Sequence, residues 1–275
     1  MARLLPRPFV VFGGILSFLA VSWAAVLFLD AWDVGGWGTW FTFDASPHMF
    51  HDRYVTFFYA WFDDRSPVEW AQWLSLGSFA ILSAWLASEV KGTRHAHLRT
   101  FWLLMAVGGM LLVIEDAGSP RHRILELLAI FPVLRPYADI IVPAFELFIY
   151  FPALAALPVY AFATYYDAVR ALRTVVVFFW IGFVFYAGAA FFSASSGIGW
   201  YHPVGSVLLE AFFSDHILGP EIYRYPELGF WLMDTLVEES MELIGAAGLV
   251  SAAVAQVHLH RQAPSALQES SPARG

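Results

Sequence analysis

The chain has 275 residues, of which 59% are hydrophobic and only 14% are charged, and it contains no cysteine. This composition is typical of an integral membrane protein, and it excludes disulfides, thiolate metal sites and cysteine nucleophiles. From this apolar composition the chain is expected to have the lipid bilayer as a partner. Its formal net charge is -8, and no nucleic acid is expected as a partner.

Six stretches are predicted to cross the membrane as helices. The first, residues 9–29, is longer than the apolar core of a signal peptide, which predicts a retained span. The others cover residues 69–90, 100–114, 138–166, 175–192 and 228–257. The sequence therefore predicts an all-α fold, a bundle of six transmembrane helices forming a single domain at 1–257. The polar residues 258–275 are predicted to be a disordered cytoplasmic tail.

Two long connections separate predicted spans on one side of the membrane. Residues 30–68 contain the segment RYVTFFYAWF, and residues 193–228 contain the segment VGSVLLEAFF. Both segments are predicted to form helices that lie at the membrane interface.

The positions of lysine and arginine predict the orientation. The connections after the second and fourth spans are short and basic, and they carry Lys91, Arg94, Arg99, Arg170 and Arg173. Short basic connections stay in the cytoplasm under the positive-inside rule. Both termini are then cytoplasmic, the long acidic connections face outward, and the protein is expected in the inner (plasma) membrane.

The last predicted span contains an unusual series of acids. Within WLMDTLVEESMELIGAAG, residues 231–248, the positions of Asp234, Glu238 and Glu242 follow i, i+4, i+8 spacing. They lie along one face of a helix, with Glu239 beside them. An acid near the bilayer centre costs about 2.5–3.5 kcal/mol on insertion scales. These acids therefore require partners, bound cations, a water-filled cavity or shared protons.

Further polar residues fall at the outer ends of other predicted spans. They are Glu115 and Asp116 at the end of the third span, Arg121, His122 and Arg123 after it, and Glu146 in the outer half of the fourth. Because all of them are predicted at a similar depth, we expect them to converge on the acids of the last span.

Three interpretations of these residues stay open. In the first, arginines pair with acids and the polar groups fix helix packing. In the second, the carboxylates bind a cation or relay protons. In the third, they bind a catalytic metal together with His122 or an outer histidine, the candidates being His48, His51, His202 and His216. No HExxH or Glu-x-x-His motif occurs on any predicted span, so neither a zinc protease nor a ferritin-like di-iron site is supported.

The candidate metal ligands are Glu115, Asp116, His122, Glu238, Glu239 and Glu242. The supporting residues are Glu69, Arg121, Arg123, Glu146 and Asp234. A divalent metal is the candidate cofactor, and no catalytic residue is predicted.

Three stretches carry a resemblance to known proteins. They are the acid pair Glu115-Asp116 with RHRI after it, the late stretch VEESMELIG, and the early stretch PVEWAQWLSLGSFA. With them the chain resembles a broad group of uncharacterised bacterial polytopic membrane proteins, which have an acid pair ending one span and an EE-x-x-E late span. The resemblance brings no activity. It implies that a set of polar residues belongs together: Glu69, Glu115, Asp116, Arg121, His122, Glu238, Glu239 and Glu242.

The leading functional hypothesis is a multi-pass inner-membrane protein with an acidic, outward-opening intramembrane site that binds a cation or handles protons. One alternative is a metal-dependent membrane enzyme acting on a lipid or other amphiphile at the outer leaflet. Another is a non-catalytic membrane subunit or scaffold. A homo-oligomer or a membrane partner subunit is compatible with each hypothesis.

Overall fold

The computed structural model describes residues 6–32, 34–35, 57–63, 65–90, 96–118, 120–121, 124, 137–170, 172–212 and 227–269. Within these ranges all regular secondary structure is helical. Five helices are long and apolar enough to cross a membrane: Pro8–Ala31, Ala96–Gly118, Ile140–Val169, Arg173–Ile198 and Gly229–Arg261. The predicted all-α class is therefore confirmed, and the five apolar helices fit the predicted multi-pass membrane character. The predicted number of six spans and the orientation of the termini stay predictions.

The helices are numbered here in chain order. They are α1 (Pro8–Val26), α2 (Phe57–Phe62), α3 (Pro67–Glu89), α4 (Ala96–Gly118), α5 (Ala138–Phe145), α6 (Phe151–Val169), α7 (Arg173–Ser195), α8 (Tyr201–Phe212), α9 (Glu227–Trp231) and α10 (Glu239–Glu269). α10 thus includes residues 258–269 of the stretch that the sequence predicts to be a disordered tail.

α10 is the central helix of the bundle. Its span is 83% buried, whereas the other four apolar spans are between 11% and 28% buried. It packs against α1, α3 and α7. Glycine allows the backbones of α10 and α7 to approach closely, because a Cβ at Gly248 would lie 2.6 Å from the backbone nitrogen of Gly182 on α7. The acids at the start of this helix therefore face protein.

α3 corresponds to the predicted second span but is not among the five apolar helices. Its 23 residues give a length of about 35 Å. Ser66 caps its first turn by accepting a hydrogen bond from the backbone nitrogen of Glu69 at 3.2 Å. The helix packs between α4 and α10, and it buries the polar side chains of Gln72, Ser75 and Ser83. The polar side chains of α3 therefore face the interior of the bundle.

Wider π-helical turns interrupt the spans at Leu27–Ala31, Glu146–Tyr150 and Leu232–Glu238. Each of them contains at least one acid. Inserted π-turns occur often at functional sites. The last one also changes the predicted acid ladder, because the i, i+4 spacing between Asp234 and Glu238 assumed a regular α-helix.

Both predicted outer helices are present in part. In the first connection, α2 begins where the backbone nitrogens of Phe57 and Phe58 donate to the two carboxylate oxygens of Asp30, at 2.8 and 2.6 Å. Phe58 and Phe62 are buried in a core cluster with residues of α1 and α10, so α2 is packed rather than laid on the surface. In the second connection, α8 crosses α9 closely at Gly205.

Candidate functional site

The side chain of Arg121 lies just beyond the C-terminal end of α4. Its Nε is 3.5 Å from Glu146 Oε1 and 3.9 Å from Glu115 Oε1. Its Nη1 donates a hydrogen bond to Ser193 Oγ at 2.5 Å. The guanidinium also lies 5.5 Å from the ring centre of Phe151. One side chain therefore joins α4, the π-turn before α6, and α7.

Electrostatics keep Arg121 charged. Burial alone lowers the pKa of its guanidinium, but the carboxylates around it reverse this effect and the pKa is raised overall. Those carboxylates are, largest effect first, Glu238, Glu146, Glu115 and Glu242. A permanent positive charge thus lies beside these acids.

Two carboxyl groups on different helices meet deeper in the bundle. Asp116 on α4 and Glu242 on α10 share a side-chain hydrogen bond. The Gln72 amide on α3 donates to Glu242 Oε2 at 2.6 Å. A hydrogen bond between two carboxyl groups requires a proton on one of them. Such a contact between α4 and α10 therefore requires a shared proton or a bound cation.

A tyrosine hydroxyl contacts the π-turn that precedes α10. Tyr201, fully buried at the start of α8, donates to Glu238 Oε2 at 2.8 Å. Ser193 also hydrogen-bonds Glu238. Burial and then the Glu238 carboxylate raise the pKa of the Tyr201 phenol. The phenol stays protonated and remains a donor to this acid.

The remaining predicted acids lie around these contacts. Glu115 accepts a hydrogen bond from the hydroxyl of Tyr150, and Glu69 accepts one from the backbone nitrogen of Arg65. Glu239 interacts electrostatically with Glu242, Asp116, Glu238 and Glu69, and Asp234 interacts with Glu238. We call these residues the polar network: Glu69, Gln72, Glu115, Asp116, Arg121, Glu146, Tyr150, Tyr186, Ser193, Tyr201, Asp234, Glu238, Glu239 and Glu242.

The predicted metal site gains no direct support. Among the residues that the structure describes, no group of three or more His, Cys, Asp or Glu side chains is arranged to hold a metal ion. The predicted residues His122, Arg123, His48, His51 and His216 lie outside the described ranges. His202 is described; its ring lies 5.5 Å from that of Phe230.

Several network residues were missed by the sequence analysis. They are Gln72, Tyr150, Ser193 and Tyr201, which donate hydrogen bonds to the acids, and Tyr186, which contributes a buried hydroxyl. Each is an ordinary residue of an apolar span or a loop. A usable signal existed only for Gln72, which follows Glu69 at i, i+3 and so shares its helix face.

An apolar cavity reaches the network from the side. It has a volume of about 680 Å³ and lies between α4, α6, α7 and α10. Its walls are mainly aromatic and aliphatic, but Glu115, Asp116, Tyr186 and Glu242 also line it. Its volume falls within the range of about 300–1,000 Å³ that is usual for small-molecule sites.

Comparison with known proteins adds no relative. No protein-family model, curated protein or solved structure matches the chain. The functional argument therefore depends on the geometry of the polar network and its cavity.

Proposed function

We propose that this is a multi-pass inner-membrane protein whose polar network is an outward-opening intramembrane site that binds a cation or handles protons. The observation that carries the proposal is the meeting of the Asp116 and Glu242 carboxyl groups in one cavity wall, where Gln72 also donates to Glu242. This meeting joins two carboxyl groups from different helices at a position where a proton, or a cation replacing it, is the required counter-charge.

The balance of charge supports this proposal. The described network has carboxyl groups on α3, α4, α10 and the π-turns before α6 and α10. Arg121 is the charged donor that ion-pairs with Glu115 and Glu146. Glu239 Oε2 is buried without a hydrogen-bond partner in the described part of the chain. Buried acids in excess of cationic partners favour bound protons or bound cations.

The topology completes the proposal. We include α3 as a sixth span, because about 35 Å of helix exceeds a hydrocarbon layer about 30 Å thick. Six spans and the short basic connections place both termini in the cytoplasm. The outer end of α4, with Arg121 beside it, then faces away from the cytoplasm, and the network opens toward that side.

A packing role is the second candidate. It is favoured by the contacts of Arg121, which links Glu115, Glu146 and Ser193 on separate segments. Polar contacts between membrane helices contribute about 0.6 kcal/mol on average. A scaffold would use the acids in this way without exchanging ions. The metal-dependent enzyme remains a hypothesis that no described group of ligands favours.

Infrared difference spectroscopy on the purified full chain in lipid bilayers separates the two candidates. The buffer over the sample is exchanged between acidic and neutral pH, and then between potassium, sodium and magnesium salts. We expect a change in the band of protonated carboxyl groups, and we expect that change to be lost in Asp116→Asn and Glu242→Gln. Asp167→Asn is the matched control, since Asp167 is 83% exposed and pairs with Arg170 at the surface.

The outcome decides between the candidates directly. A spectrum in which wild type and both network variants respond identically to protons and to every cation would overturn the proposal and favour the scaffold. A response confined to pH would assign protons as the species handled. A response to one cation would assign that cation.

A further inference from the structure

The cavity opens sideways between α6 and α7. α6 packs along α4 and makes little contact with α7, which leaves a crevice between the two helices. Val159, Trp180 and Phe191 line it and are each more than half exposed. In a membrane these side chains face lipid, so the entrance admits molecules from the bilayer rather than from water.

The inner end of the crevice carries buried polar atoms. The hydroxyl of Tyr186 is buried and has no hydrogen bond of normal geometry in the described part of the chain, although Gln72 lies near it. Asp116 Oδ2 is also buried, and the hydrogen-bond partner of this carboxyl group in the same ranges is Glu242. Both residues line the cavity, as does Glu242. Unpaired buried polar atoms are costly, and a ligand group that satisfies them would gain that energy.

We propose that the crevice binds a single-chain amphiphile with a protonated primary amine, its chain between α6 and α7 and its ammonium group at Asp116, Tyr186 and Glu242. The proposal extends the proposed function, because the ammonium group is then the cation that the network binds. The bilayer side supplies the ligand, and the apolar wall takes up its chain.

The chemistry of the inner end selects the head group. Carboxyl groups and a phenol oxygen accept hydrogen bonds, and an ammonium group offers three N–H donors and a positive charge. A phosphate or carboxylate head would be repelled by Asp116 and Glu242. A quaternary ammonium has no N–H to donate. A hydroxyl head offers only one donor and no charge, so it should bind more weakly than the amine.

The shape of the crevice selects the chain. Glu115 and Asp116 stand at one end of the lining of α4, and Met105 stands at the other. The separation from Asp116 to Met105 along that helix is eleven residues, which is about 16 Å. Phe151, Phe162 and Phe183 complete the apolar walls. An extended alkyl chain fits this elongated space.

Photolabelling tests the proposal on the full chain in phosphatidylcholine nanodiscs. The probe is hexadecylamine with a diazirine in the middle of its chain, and the comparison probes carry a hydroxyl or a carboxylate head on the same chain. Labelled residues are mapped by mass spectrometry. Labelling of α6 and α7 is divided by labelling of exposed lipid-facing residues of α1, such as Phe9 and Val21, which corrects for partition into the bilayer.

We expect the amine probe to label residues 151–163 and 180–191 about tenfold more, on this ratio, than either comparison probe, since it gains a charge-assisted hydrogen bond. Asp116→Asn should lower the ratio for the amine about tenfold and leave the hydroxyl probe unchanged. Tyr186→Phe should lower the amine ratio as well, with Tyr160→Phe as its control, because Tyr160 is exposed and is not in the cavity wall.

A pair of neighbouring alanines tests the cavity itself. Ala155 and Ala156 are both exposed, but only Ala155 lines the cavity. Ala155→Phe should abolish preferential labelling, whereas Ala156→Phe should preserve it. Equal ratios for the three head groups, or equal effects of the two alanine substitutions, overturn the inference. If the photolabelling overturns the inference while the infrared response persists, the proposed function stands without this ligand. If the infrared response is also absent, the proposed function and the amine ligand both fail.

Discussion

Gly248 fixes the distance between α10 and α7, and its replacement by alanine gives the sharpest prediction. A Cβ built there lies 2.6 Å from Gly182 N, 2.9 Å from Phe178 O and 3.0 Å from Gly182 Cα. All three are backbone atoms, so no side chain can rotate to relieve the clash. α7 must move away from α10, or both helices must bend.

The expected cost is that of overpacking a tight core, about 1–3 kcal/mol. Gly77→Ala is the matched control. It also lies within a helix, but a Cβ there meets nothing within 4 Å. In that open position alanine should be neutral or should stabilise the protein by up to about 1 kcal/mol, from helix propensity alone.

The assay is reversible unfolding of the purified protein in mixed micelles of a mild detergent and dodecyl sulfate, followed by tryptophan fluorescence. Gly248→Ala should unfold at a lower dodecyl sulfate fraction than wild type, and Gly77→Ala should not. If the two variants unfold together, the close contact between α7 and α10 is not as the structure has it. The position of Tyr186 relative to the polar network would then need revision too.

The remaining predictions use the same unfolding assay. Arg121→Gln leaves Glu115 and Glu146 without their ion-pair partner and should destabilise the protein by about 3–5 kcal/mol. Breaking the exposed ion pair between Arg170 and Asp167 should cost less than about 1 kcal/mol. Equal effects of the two changes would contradict the description of Arg121 as a buried side chain that joins separate helices. Tyr201→Phe should cost about 1.5–3 kcal/mol. The pKa of the Tyr201 phenol is raised on folding, so this stability is fully present below the unfolded pKa of about 10 and is lost as the pH rises through the folded pKa. The difference in free energy of unfolding between wild type and variant should therefore narrow in strong alkali. A difference that widens there would refute the donor role of Tyr201. Asp30→Ala removes both acceptors at the start of α2 and should cost about 0.5–2 kcal/mol, while Asp30→Asn, which keeps one acceptor, should cost less.

The sequence predicts how deep each acidic residue lies along its span better than it predicts which side chain that residue contacts. Glu115, Asp116, Glu146 and Glu242 were placed at similar depth from span boundaries alone, and the structure brings their side chains into the same network. The direction of each helix face could not be predicted, because the spans are apolar on nearly all sides and carry almost no periodic signal. Composition therefore shows where an acid lies along a span but not which helix it meets.

Two features escaped prediction for a local reason. The π-turn at Leu232–Glu238 has no residue pattern that distinguishes it from an α-helix, and it rotates Asp234 relative to the acids that follow. The donors Gln72 and Tyr201 become significant only through contacts with residues far away in the chain, Glu242 and Glu238. Such pairings are set by tertiary packing and leave no local trace.

The buried polarity of α3 has a consequence for how the protein is made. On leaving the ribosome, a helix with Gln72, Ser75 and Ser83 on its surface gains little by entering lipid alone. Its partners are α4, which follows immediately, and α10, which is synthesised much later. We therefore expect α3 to settle in the bilayer in two steps, first as a hairpin with α4 and then locked by α10. In this order of assembly the polar groups of α3 face lipid until α10 is inserted, so α10 would close the bundle as well as carry Glu239 and Glu242 into it.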